Sequence, residues 1–177
     1  TVTSRTFNQS LDGTFGQSLD GVTATGGLEA GESVVLMQLR EDTTARTNIG
    51  IHNQWRKPAR VDIALHDADG ALITAQSRDI PAQQTVQLNR PFRRLGSRSD
   101  IETGYAVVTV LEGQDIYAYG SVIDNATGDP TAIPMKRAPG AEQQWIAAAA
   151  HDGGAQGSVW RTDLCLLNLS GEAASAE

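Results

Sequence analysis

The sequence predicts an all-β, antiparallel sandwich. Three observations carry that reading: short β-type runs that alternate apolar and polar residues, turn-forming Gly, Asp, Asn and Pro between them, and an internal repeat of about 115 residues. Candidate strands are Ser33–Leu39, Thr47–Asn53, Arg60–Asp67, Ala71–Arg78, Thr85–Asn89, Gly104–Leu111, Ile116–Asp124, Trp145–Ala150 and Trp160–Asn168. In the third of these, Val61, Ile63 and Leu65 should face a core while Asp62 and His66 face out, because side chains alternate across a strand.

Turn chemistry supports the same architecture. Asp67-Ala-Asp-Gly70 lies between two strand runs, and Gly70 can take the positive φ that a bulged hairpin needs. Glu112-Gly-Gln114 is placed to do the same before Ile116. Only Pro91–Leu95 suggests a helical turn. Gln9–Gly31, rich in Gly, Ser and Thr, reads as a long loop with a strand edge near Thr14–Gln17.

The repeat is collinear. Ala45–Asn53 (ARTNIGIHN) matches Trp160–Asn168 (WRTDLCLLN) at an offset of 115, and Val34–Leu39 matches Trp145–Ala150 at 111. Ser4, Asn8, Asp12 and Thr14 match Ser121, Asn125, Asp129 and Thr131 at 117. Residues 1–62 and 118–177 thus read as two copies of one phase, and 63–117 occurs once. The expected organisation is a partial copy over 1–45, with the N-terminal strands and long loop. A sandwich core follows over 46–134, and a second copy begins over 135–177, able to pair with a neighbouring subunit.

Several function classes are excluded or weakened by composition. The chain has 177 residues, 40% of them apolar, and a formal net charge of −7, which argues against general nucleic-acid binding. The longest uninterrupted apolar run, Trp145–Ala150, is far short of the roughly 18 residues a membrane span requires, so no membrane insertion is expected. The single cysteine, Cys165, allows no internal disulfide and no cysteine-based metal site; within Leu164–Leu167 it reads as a buried small hydrophobe. Arg90, Arg93, Arg94 and Arg98, with Arg56, Lys57 and Arg60 upstream, read as a solvated face or as an anion or polysaccharide contact. The chain starts Thr-Val-Thr without Met or signal peptide, as a processed form or an excised fragment would.

Ala45–Asn53, Asp67–Leu72, Gly104–Val108 and above all Tyr117–Thr131 (YAYGSVIDNATGDPT) resemble a tandem β-sandwich repeat of large secreted or surface proteins of environmental bacteria. That resemblance implies an immunoglobulin-like sandwich at about 1.5 copies, repeated along a parent protein and located outside the cell or on its surface. It implies no catalytic activity.

Chemistry-bearing motifs are sparse. His52, His66 and His151 stand in no nucleophile-elbow or zincin context, and the acidic residues fall mostly in turns, so no catalytic residue and no cofactor is predicted. Calcium is the metal that best suits the oxygen-rich turns Asp67/Asp69 and Asp124/Asn125/Asp129, though neither follows an EF-hand loop and both are good turns without a metal. The sequons at Asn8, Asn125 and Asn168 are glycan-acceptor candidates in a secreted protein and ordinary turn residues otherwise. Trp55, Trp145 and Trp160 could stack on sugar rings or pack against a sheet end.

The expectation is therefore a non-enzymatic structural or adhesive module, serving as a spacer or as the subunit of an extracellular fibre assembled by β-strand addition. Its partner would be itself or a neighbouring repeat, with Trp145, Ile146, Trp160, Leu164, Leu166 and Asn168 at the interface. The alternative is a carbohydrate-binding module appended to a secreted enzyme, with a glycan as its ligand.

Overall fold

The structure is a computed structural model that describes residues 2–11, 13–23, 26–137, 146 and 148–170. It divides into two units, residues 1–138 and 139–177. In the first unit the strands run β1 Thr3–Ser10, β2 Gly13–Asp20, β3 Ser33–Glu41, β4 Ala45–Asn53, β5 Ala59–Asp67 and β6 Leu72–Ile80. There follow β7 Thr85–Asn89, a short helix α1 Pro91–Gly96, β8 Ile101–Glu112, β9 Ile116–Asp124, β10 Pro130–Pro134 and β11 Lys136–Arg137.

The strands form an antiparallel β-sandwich. One sheet has the order β10-β9-β4-β7 and the other β11-β3-β8-β5-β6, while β1 and β2 make a separate hairpin. The alternation expected of β5 holds: Val61, Ile63 and Leu65 are fully buried. They meet Ile49 and Ile51 of β4, Leu36 of β3, Val108 of β8 and Phe92 of α1 in one continuous core. Burying each such side chain is worth about 1.5–3 kcal/mol, which makes this core the main source of stability.

Turns close the strands as their residues dictate. Gly70 has φ +83°, and a bulge at Leu65/His66 completes the β5–β6 hairpin. Asp42, between β3 and β4, accepts from the backbone N–H groups of Thr44 and Ala45 at 2.6 and 2.9 Å, and from Arg40 Nε at 2.6 Å. Burial pushes its carboxyl up, but these hydrogen bonds outweigh burial and hold it well below the usual range. Arg137 ties β11 to the chain before β3, donating to Glu32 Oε1 at 2.7 Å and to the Gly27 carbonyl at 2.8 Å.

The structure departs from the sequence reading in four places. Gln9–Gly31 is not a long loop, because its first half forms most of the β1–β2 hairpin. β10 appears beyond the predicted strands; it begins and ends on proline, which an edge position tolerates. The boundary drawn at 45/46 falls between β3 and β4, which lie in opposite sheets of one sandwich. In the second unit 148–150 and 161–168 are not strands, and the ladder there is two residues long, β12 Asp152–Gly153 with β13 Val159–Trp160. A strand persists only with ladder partners, and that short pairing supplies none for 161–168.

Candidate functional site

Alternation along β4 builds the site. Thr47, Ile49, Ile51 and Asn53 point into the core and are fully buried, so Arg46, Asn48, Gly50 and His52 point outward. The register then sets Gly50 between Gln87 of β7 and Tyr119 of β9, and Asn48 between Asn89 and Ser121. The Tyr119 ring lies across Gly50, where any side chain would collide with it. The outer face of this sheet is thus rich in amides, with an aromatic ring laid flat against it.

The β1–β2 hairpin covers part of that face. Ser121, Tyr117 and Ile123 point outward yet are only 5–7% exposed. Ser121 Oγ donates to Gln17 Oε1 at 2.8 Å, and the Tyr117 hydroxyl donates to the Thr23 carbonyl. Burial pushes the Tyr117 phenol above its ordinary value. Between hairpin and sheet lies a cleft of about 290 Å³, lined among others by Phe7, Phe15, Gln17, Asn48, Gln87 and Tyr119. Neither the Asn48 amide nor the Tyr119 hydroxyl has a hydrogen-bond partner among the described residues, so both can bond a ligand.

A second groove, of about 360 Å³, opens on the side of the sandwich where the edge strands β6 and β7 approach. Val86, Leu88 and Leu95 give it apolar lining, and Arg78 and Arg94 give it charge. Arg78 Nη2 donates to Gln76 at 2.9 Å, while its Nε is buried without an acceptor.

The residues singled out from sequence are scattered. Trp55 is half-buried with Lys57 Nζ 5.4 Å above its ring, Trp160 is 63% exposed in the second unit, and Trp145 lies outside the described residues. Ile146, Leu164 and Leu166 are 60–69% exposed, and Cys165 is half-buried rather than buried. Asn168 Oδ1 accepts from Ser170 N at 3.0 Å, closing a local turn. Of the sequons, Asn8 is exposed on β1, and the Asn125 amide is engaged by Arg46 at 2.9 Å and by the Thr43 carbonyl at 3.2 Å.

The turn carboxylates face their own backbone. Asp67 Oδ1 accepts from the N–H groups of Asp69 and Ala71, and Asp124 Oδ1 from those of Ala126 and Thr127. Those Thr127 bonds lower the Asp124 pKa. No group of three metal-ligating side chains occurs among the described residues. His52 Nδ1 bonds Thr85 Oγ1 at 2.9 Å, and His66 stacks on Tyr105 with ring centroids 4.7 Å apart, so both rings have structural partners. Of the arginine group, Arg98 pairs with Asp100 at 2.7 Å, and Arg93 and Arg94 are exposed on α1.

No family model and no curated protein matches this chain. Among solved structures it is similar to the Thermotoga maritima protein 1070, with a TM-score of 0.47 and 10% identity over 62% of this chain and 94% of that one. It is also similar to the Anabaena sensory rhodopsin transducer, with a TM-score of 0.40 and 13% identity over 51% of this chain and 98% of that one.

Proposed function

We propose that the chain is a non-catalytic structural or adhesive module, an immunoglobulin-like repeat of a secreted or cell-surface protein that associates with further copies through its strands. One observation carries this reading. The positions that hold Ile49 and Ile51 fully buried in the first copy hold Leu164 and Leu166 in the second, where they are 64% and 69% exposed. Apolar side chains patterned for a sheet and left in solvent mark an interaction segment. Sedimentation and negative-stain imaging over a concentration series test it, with oligomers or filaments as the expected result. A chain that stays monomeric at high concentration, with both terminal segments resistant to protease, refutes it.

The cleft under the hairpin favours a second reading, carbohydrate binding. Phe15 and Tyr119 offer apolar faces to a sugar, and the unpaired Asn48 amide and Tyr119 hydroxyl offer hydrogen bonds. Binding on a glycan array that is lost in Asn48→Ala and kept in Trp55→Ala would support this reading; an array without signal would remove it.

A further inference from the structure

The open side of the sandwich has the features of a strand acceptor. Among the described residues β7 is an edge strand bonded only to β4. The Asn53 N–H donates to the Gln84 carbonyl and the Arg90 N–H to the Thr47 carbonyl, which sets the phase of the β4–β7 ladder. Even-numbered residues of β7 therefore bond β4, and the backbone N–H and C=O groups of Thr85, Gln87 and Asn89 point to the free edge. Beside that edge lies the groove with Val86, Leu88 and Leu95 in its lining and the Arg78 Nε without an acceptor. A free ladder, an apolar lining and an orphaned buried donor all call for an inserted chain segment.

Resting on the structural reading above, we infer that this edge accepts the Trp160–Asn168 segment of a second copy as an antiparallel strand. The segment is the sequence counterpart of β4, the strand that already lies beside β7. In the first copy Ile49 is opposite Leu88 and Ile51 opposite Val86. The same register on the free edge sets Leu164 opposite Leu88 and Leu166 opposite Val86, turning both exposed leucines toward the groove. It also sets Cys165 opposite Gln87, and Asp163 opposite Asn89, just before the arginines of α1. The resulting contact joins two different surfaces, the segment of one copy and the edge of another, so it can link copies in series.

The test uses Cys165, the chain's single cysteine, as a reporter. Gln87→Cys on the full chain, mixed as isotopically light and heavy copies and oxidised mildly, is mapped by mass spectrometry. Directly opposed Cα atoms on an antiparallel pair lie about 5.5 Å apart, within the range a disulfide spans. The link between position 87 and Cys165 should join light to heavy chains. It should exceed by about tenfold the corresponding link in Thr6→Cys, which places the thiol on the exposed hairpin strand β1 instead. Equal yields, a higher yield from position 6, or a link confined to single chains overturns the inference. Leu167→Pro, which removes the backbone N–H that this register sets against Thr85, gives a second readout and should abolish the oligomer seen by sedimentation. Oligomers that persist in Leu167→Pro, without the 87–165 link, overturn this register and leave the structural reading standing. A wild-type chain that never associates refutes both.

Discussion

Asn53 joins three stretches of backbone, and its loss can be worked out from the geometry. Its side chain is fully buried at the end of β4. Nδ2 donates to the carbonyls of Lys57, Ile80 and Pro81 at 2.9, 3.0 and 3.2 Å, and Oδ1 accepts from Trp55 N at 2.8 Å. Asn53→Ala leaves the buried Ile80 carbonyl without this donor, which costs about 1–3 kcal/mol. The other three partners are only partly buried and can recruit water, so each costs about 0.5–1 kcal/mol. The expected loss is about 4 kcal/mol, a fall in Tm of about 15 °C for a unit of this size. Urea unfolding of the full chain followed by tryptophan fluorescence measures it, through a lowered midpoint at unchanged m-value. A loss below about 1 kcal/mol would show that the turns after β4 and β6 hold without this side chain, and the reasoning would fail.

Other outcomes follow from the same geometry. Gly50→Ala should cost about 1–3 kcal/mol by displacing the Tyr119 ring, and Tyr119→Ala in the same chain should recover most of it in a double-mutant cycle of thermal melts. Ile49→Ala should cost about 2–5 kcal/mol in urea, whereas Leu164→Ala at the equivalent position should stay within about 0.5 kcal/mol when measured on dilute protein. Glu41 is 1% exposed; burial raises its pKa from the ordinary 4.5, against the opposing hydrogen bond that its Oε1 accepts from Arg93 N. The native state therefore binds the proton more tightly than the unfolded chain. Stability from this group is complete below the unfolded pKa and is lost as pH rises through the folded one. The stability of the wild type relative to Glu41→Gln should accordingly fall with rising pH above 4.5 and then level off, as read by urea melts across that range.

What was legible in the sequence was what short-range chemistry determines. β5 could be read because Val61, Ile63 and Leu65 alternate with polar residues and Gly70 ends the hairpin. The β1–β2 hairpin escaped because its strands are mostly polar, and polar runs rich in Gly and Ser read as loop. Two signals were available: the Asp12-Gly13 turn, and the repetition of Gln-Ser-Leu-Asp-Gly at 9–13 and 17–21, which places like residues eight apart along a β ribbon. The cleft was not legible at all. Its walls come from residues 6–17, 46–48, 87 and 119–130, and each outward polar side chain taken alone is an ordinary solvated one.

The two segments of matching sequence, 45–53 and 160–168, separate local from tertiary causes directly. Asn53 and its counterpart Asn168 each accept a hydrogen bond from the backbone N–H two residues on, at 2.8 and 3.0 Å. That turn needs only an Asn side chain and its neighbours, so it forms in both segments. Ile49 and Leu164 share an equally close match in sequence, yet one is fully buried and the other 64% exposed. Burial needs a facing sheet and a paired edge, which no pattern within nine residues can supply. Residues 160–168 therefore carry a sequence like that of β4 without the strand's environment. An edge such as that of β7, with free backbone groups beside an apolar groove, is the kind of surface that would provide it.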